Sequence, residues 1–216
     1  MPTPTTDQTA ELDQLAEDHQ DHKLRSSPTW GHLIGDYRYA DRFEDVSRSA
    51  EDAHIEAARA LAARAEAIDP AALDDQRRIT REMVAWDAGS QVELLGSRTE
   101  EYGADPIFGV QSSLGVYVPK LAVPTPEVAE AMVGKFEGVA AYFHAIAERH
   151  REGVAHDRTP AQFAVTQTVA QLDRWLATPI DADPLLAVQD PPAGTDAAGW
   201  HQRLKAVVQQ QVRPAV

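Results

Sequence analysis

Apolar residues recur at helical spacing along most of this chain, and the longest such pattern lies between Thr125 and Ala177. Val128, Met132, Phe136, Val139, Phe143 and Ile146 fall three or four residues apart, which places them on one face of a helix. Beyond a break around Gly153, Val165, Val169, Leu172 and Leu176 repeat the pattern. Thr125-Pro126 and Thr159-Pro160 stand at the two starts. Each offers a hydroxyl that caps free backbone N–H groups and a proline whose missing donor costs nothing in a first turn. The spacing predicts two amphipathic helices closing as an antiparallel hairpin.

Residues 1 to 6 are rich in Pro and Thr and predict no order. A first helix is expected from Asp7 to about Arg25, carrying Leu12, Leu15 and Leu24, until Ser26-Ser27-Pro28 interrupts it. The aromatic-rich Trp30 to Tyr39 reads as a short helical piece and a turn. A second helix starts at Ser47 or Ser49, carries Ile55, Ala58, Leu61, Ala62 and Ala65, and ends at Asp69-Pro70. A third runs from Ala71 or Leu73 to about Leu95 with Leu73, Ile79, Met83, Val84, Trp86 and Leu94. Between Gly96 and Pro124 the periodicity fails under repeated Gly and Pro, which predicts a long structured loop containing at most a one-turn helix. Long ordered loops carry function, so Tyr117 and Lys120 are candidate cleft or substrate contacts. Pro179 to Gly194 is a second connector. A last helix opens at Thr195-Asp196 and sets Trp200, Leu204, Val208 and Val212 on one face. It reaches Val216 without a glycine cap or polar tail, so the chain is expected to be truncated inside an element and this face to be an open interface. The fold class is all-α: helical hairpins in an irregular bundle, with a Gly/Pro-rich loop at about 96–124.

Composition narrows the partners. A net charge of −14, from 20 basic against 34 acidic residues, opposes binding to a phosphate backbone, so no nucleic-acid partner is expected. No stretch approaches the roughly 20 apolar residues that cross a bilayer. With no cysteine and no basic, apolar leader at Met1 to Glu11, the cytoplasm is the expected compartment.

Candidate chemistry is sparse. His19 and His22 share a helix face but lack a third ligand. His144, Glu148, His150, Glu152 and His156 are denser, yet His144 and His150 diverge by about 120° on a helix and Gly153 intervenes before His156. No His-Glu-x-x-His segment is present, Gln111-Ser112-Ser113-Leu114-Gly115 lacks the first glycine of a nucleophile elbow, and the loop glycines lack a Gly-Lys-Ser/Thr ending. Glu51-Asp52 and Asp74-Asp75 fit the opening turns of helices, where the dipole favours negative charge. Glu100-Glu101 has no such explanation. No catalytic, cofactor-binding or metal-ligating residue is therefore assigned.

Several segments together resemble the N-terminal part of the bacterial family called domain of unknown function 885. They are Gly35-Asp36-Tyr37-Arg38-Tyr39 with Asp41-Arg42-Phe43 and Asp45-Val46-Ser47, Thr125-Pro126-Glu127, Arg151-Glu152-Gly153 before Arg158-Thr159-Pro160, Ala170-Gln171-Leu172-Asp173 with Asp183-Pro184-Leu185, and Val212-Arg213-Pro214-Ala215. The resemblance covers roughly residues 24 to 216, with residues 1–23 as a tail and the start of the first helix. It implies a longer protein similar to gluzincin-type zinc metallopeptidases, in which two histidines and a later acid hold zinc and a glutamate activates water. No position of this chain matches that metal segment. The expected role is thus the N-terminal helical scaffold of a zinc-metallopeptidase-like protein, inactive alone, with zinc and peptide hydrolysis belonging to the complete protein. Its expected partners are the missing C-terminal helical region and a peptide substrate. The alternative is a free-standing helical interaction module that uses Trp200, Leu204, Val208 and Val212 to bind a partner or itself.

Overall fold

The computed structural model describes residues 5–216, so the expectation of disorder at Met1 to Pro4 lies outside the described residues, while Thr5 and Thr6 already belong to a helix. The fold is all-α, and no strand occurs among the described residues. The helices are α1 (Thr5–Ser26), α2 (Pro28–Leu33), α3 (Arg48–Ala67), α4 (Asp75–Gly96), α5 (Val110–Tyr117), α6 (Pro126–Ala155), α7 (Gln162–Ala177) and α8 (Ala197–Val207). A π-helical turn, Val208–Val212, and a last turn, Arg213–Ala215, continue α8. They form two compact units, one of residues up to Ser26 with Arg48–Thr99, the other of Ser27–Ser47 with Glu100–Val216.

The first unit is a three-helix bundle of α1, α3 and α4 around Leu12, Leu15, Leu61, Ala65, Ile68, Leu73, Val84 and Ala88. Arg64 of α3 ties α1 down through Glu11 at 2.9 Å and Asp18 at 2.7 Å. Asp74 caps α4 by accepting from Arg77 N at 2.8 Å. Just past α4, Arg98 takes a left-handed φ of 58°, a strained conformation for a side chain of this kind. Its guanidinium is held by the buried Glu51 and, at 2.6 Å, by Asp52. The acidic pair thus anchors the end of α4 besides opening α3. Of the apolar positions that periodicity assigns within α4, Val84 is buried and the other four, Ile79, Met83, Trp86 and Leu94, are exposed.

The second unit is built on α6. Thr125 caps it by accepting from Val128 N at 3.3 Å, with Pro126 in the first turn, as the sequence indicates. Val128, Met132, Phe136, Val139 and Phe143 are buried as expected. The break lies elsewhere: Gly153 remains helical, and the chain turns at Asp157, whose φ is 58°, with Arg158 N donating to Gly153 O at 2.8 Å. Gly153 is needed for approach instead, because a methyl there would sit 2.1 Å from Glu101 O. Thr159 caps nothing, since α7 starts after Ala161 without a side-chain cap.

Two corrections follow from how α6 is covered. The buried face of α7 is Ala164, Trp175 and the partly buried Thr168, Gln171 and Leu172, one position round from the inferred stripe, so Val165, Val169 and Leu176 face solvent. Helix α7 leans on α5, touching α6 through the Phe143–Trp175 ring contact at 5.8 Å. The room left along α6 is taken by α8 and its continuation. Trp200 is 1% exposed and Leu204, Val208 and Val212 are 0% exposed, so this face is core and is not available as an interface. Trp200 Nε1 donates to Ala129 O at 2.6 Å, which satisfies the indole N–H inside the core. Between Gly96 and Pro124 the structure holds the two-turn α5, which the glycines had obscured, anchored by Leu114.

Replacing Trp200 with Ala is expected to cost about 3–5 kcal/mol in chemical denaturation, whereas Val169→Ser is expected to stay within about 0.5 kcal/mol. Equal effects would contradict the helix rotation described here.

Candidate functional site

The loop between α2 and α3 is laid across α6 at two glycines. A methyl at Gly138 would lie 2.8 Å from Phe43 Cβ, and one at Gly134 would lie 3.0 Å from Asp41 O, so any larger residue lifts the loop away. Lys135, between them, donates from Nζ to Arg42 O. Phe43 meets Tyr142 edge-on at 5.6 Å between centroids. The next residue, Glu44, is fixed by both donors of Thr29, the backbone N at 2.9 Å and Oγ1 at 2.8 Å. The Lys135 and Tyr142 contacts join the loop to a helix some ninety residues later.

On the other side α5 stands off from α6, held by α7. Gln171 donates to Pro106 O at 2.7 Å and accepts from Gln111 Nε2 at 3.0 Å. Asp105 shapes the approach to α5 by accepting from Ile107 N at 2.7 Å and Phe108 N at 2.9 Å, bonds that hold its carboxyl below the usual range. Between α5, α6 and the loop is a partly open cavity of about 200 Å³. Phe43, Leu114, Phe136 and Val139 form apolar walls, and Phe108, 80% exposed, and Tyr117 also line it. Its polar groups are Thr29, Glu44, Lys135, Tyr142 and Ser113.

Electrostatics sharpens that polar part. Burial pulls the Lys135 amine down from 10.5 to about 8, against the opposing influence of Glu44 and Asp41. The Tyr142 hydroxyl is raised by burial, reinforced by Glu100 and Glu44, so it stays protonated and serves as a donor. The cavity therefore combines apolar walls with a hydroxyl donor, a carboxylate and an amine close to neutrality.

Of the sequence candidates, Tyr117 lines this cavity, while Lys120 is exposed in the turn after α5 and does not. Lys135, Tyr142, Glu44 and Thr29 were not foreseen, because their relation exists only once the loop has docked. The 35–47 segments that carry the family resemblance mark the loop and not α6. The histidines are separately engaged: His19 bonds Asp87 at 2.8 Å, His22 meets His54 ring to ring at 5.6 Å, and His150 bonds Gly103 O at 3.2 Å. Burial holds His22 below its ordinary value, with His54 adding to the effect. Among the described residues no three His, Cys, Asp or Glu side chains are placed to share a metal ion, so the residues here do not fit a zinc site. Glu101, unexplained in sequence, is a buried carboxylate held by Arg158 Nε at 2.6 Å and by the buried Arg149 at 3.4 Å.

Because Lys135 in the folded chain loses its proton near pH 8 and in the unfolded chain near 10.5, the unfolded state binds more protons between these values. Stability is expected to rise with pH across that window, by on the order of 2–3 kcal/mol relative to a Lys135→Met variant. Denaturant midpoints of both proteins from pH 7 to 10.5 check this, and a constant difference would contradict it.

No helix among the described residues is long and apolar enough to cross a membrane. No curated protein and no solved structure matches the chain. The model of a family described as a bacterial protein of unknown function, DUF885, matches residues 28–216, and the chain belongs to that family.

Proposed function

We propose that this chain is the N-terminal helical region of a zinc-metallopeptidase-like protein and that its contribution is recognition of the substrate. The observation that carries the reading is the cavity under α5, whose apolar walls and exposed aromatic residues suit an apolar side chain of a peptide. Burying a Leu or Phe side chain contributes about 1.5–3 kcal/mol, which corresponds to roughly a ten- to hundredfold preference over a small residue. Tyr142 supplies a donor, and Glu44 and Ser113 supply acceptors, for the backbone that follows such a side chain into the cavity. Zinc, on this reading, is held outside these residues by the complete protein, and no step is derived through it. The resemblance to gluzincin-type proteins supports the peptide class of substrate.

The test is direct titration of the purified chain with blocked peptides that differ in one side chain. Leu- or Phe-bearing peptides are expected to bind, Tyr117→Ala to weaken them by about tenfold, and Gly-bearing analogues to bind no better than the variant. Chelator-sensitive hydrolysis by the chain alone, or binding indifferent to the side chain, would overturn the assignment.

A second reading has one specific observation in its favour. Val165, Val169 and Leu176 leave α7 with an exposed apolar stripe of the kind that interaction modules use. On that reading the chain self-associates or binds a partner without catalysis; within the first, the stripe receives the remaining helices of the complete protein. Sedimentation of wild type against Val169→Lys separates them, since self-association lost on substitution favours the module and a monomer at every concentration removes self-association.

A further inference from the structure

We propose that Lys135 forms a reversible imine with an apolar aldehyde that enters the cavity between α5 and α6. The inference shares the cavity with the peptide reading but needs no peptide.

The geometry supplies each part. Lys135 lines the cavity and is itself 1% exposed, so its amine is withheld from bulk water. One N–H is committed to Arg42 O. A neutral amine that donates one N–H keeps its lone pair for other chemistry, and desolvated lysines in apolar pockets are the ones that act as nucleophiles. The hydrocarbon part of the ligand lies against Phe43, Leu114, Phe136 and Val139. Tyr142 and Glu44 line the same cavity, the first a hydroxyl that remains protonated, the second a carboxylate fixed by Thr29 with lone pairs to spare.

The step balances without an oxidant or reductant. The Nζ lone pair attacks the carbonyl carbon, a C–N bond forms and the C=O pair moves to oxygen, which accepts a hydrogen bond from Tyr142. Glu44 takes a proton from nitrogen and returns it to oxygen. The carbinolamine hydroxyl then leaves as water with a proton from solvent relayed by Glu44, and the nitrogen lone pair forms the C=N bond of an iminium that keeps its remaining N–H on Arg42 O. Addition of water reverses each step.

Glu44 and Asp41 of the docked loop act on the amine and His32 of α2 feels its charge, while Tyr142 of α6 and Tyr117 of α5 line the same cavity. Burial holds His32 below its ordinary value, so it stays uncharged beside the lysine as the amine titrates. Loss of the amine's own proton, as pH rises through about 8, then governs the reaction.

The experiment treats the whole chain with hexanal and borohydride, digests it, and measures the reduced adduct at Lys135 and at the exposed Lys120 in the same sample. At pH 8 the adduct at Lys135 is expected to exceed that at Lys120 by about tenfold, to fall steeply below pH 7, and to show no such preference with glycolaldehyde, which is small and polar. Val110→Phe, which fills the cavity, is expected to abolish the preference while leaving Lys120 labelling unchanged, with a cooperative thermal melt confirming a folded chain; Ser113→Phe is the second filling variant. Equal labelling of the two lysines, or a preference that survives filling in a folded variant, would overturn the proposal. Peptide binding without Lys135 labelling removes only this inference, and labelling without peptide binding removes only the peptidase reading.

Discussion

Helix α6 must be covered on more than one side, and the second unit is the set of segments that do so. Its buried positions up to Phe143, namely Val128, Ala129, Met132, Lys135, Phe136, Val139, Ala140 and Phe143, fall in two adjacent stripes instead of one. A helix buried over so wide an arc cannot be satisfied by a single neighbour. Helix α8 and its π-helical continuation take one side, where Trp200, Leu204, Val208 and Val212 close the core. The loop carrying Asp41 to Glu44 takes another, admitted by Gly134 and Gly138. Trp175 reaches in from α7 at Phe143. At about 1.5–3 kcal/mol for each large apolar side chain removed from water, these three coverings outweigh any local helix preference.

This explains which parts of the architecture were legible in the sequence. Helix existence followed from period and caps, since Thr125-Pro126 and Asp196 act locally and report locally. Partner choice did not. Assigning all of α6's apolar surface to α7 left the last helix without a covering, and the error propagated into an interface at residues that lie in the core. The stripe of α7 was misplaced for a related reason: Thr168 and Gln171 are polar, so hydropathy ranks them outward, yet Gln171 turns inward to hold Pro106 O and Gln111. In α5, Gly109 and Gly115 read as turn residues although one precedes the helix and the other sits within it. A period of 3.6 identifies a surface and says nothing of what will cover it.

Buried charge was the least legible feature, because each charged group is matched by residues far away in sequence. Glu101 is satisfied by Arg149 and Arg158. Asp183 receives Trp175 Nε1 at 3.1 Å, Leu185 N at 3.0 Å and Arg213 Nε at 2.9 Å. Arg213 also donates to Thr178 O and to Trp175 O, which accepts from Thr178 N as well, at the end of α7. One carboxylate thereby fastens the α7 terminus, the connector after it and the last turn of the chain. Removing one partner would strand the others without water, which is why such clusters cost several kcal/mol to break and little to leave alone.

Lys135 differs from these clusters, because what the fold requires there is a donor and not a charge. Arg42 O is a backbone acceptor at the docked loop, and leaving such a group bare in a buried place costs about 1–3 kcal/mol. A methionine of similar length would pack without the desolvation cost but would impose that one. An ammonium satisfies the carbonyl at the cost of burying a charge, only partly offset by Glu44 and Asp41. A neutral amine satisfies it equally well and carries no charge to desolvate. Loop docking therefore does not oppose loss of the proton, and the hydrogen bond that holds the loop leaves the nitrogen lone pair unspent. Structural and chemical roles of this side chain draw on different electrons of the same atom, which is what allows one residue to serve both.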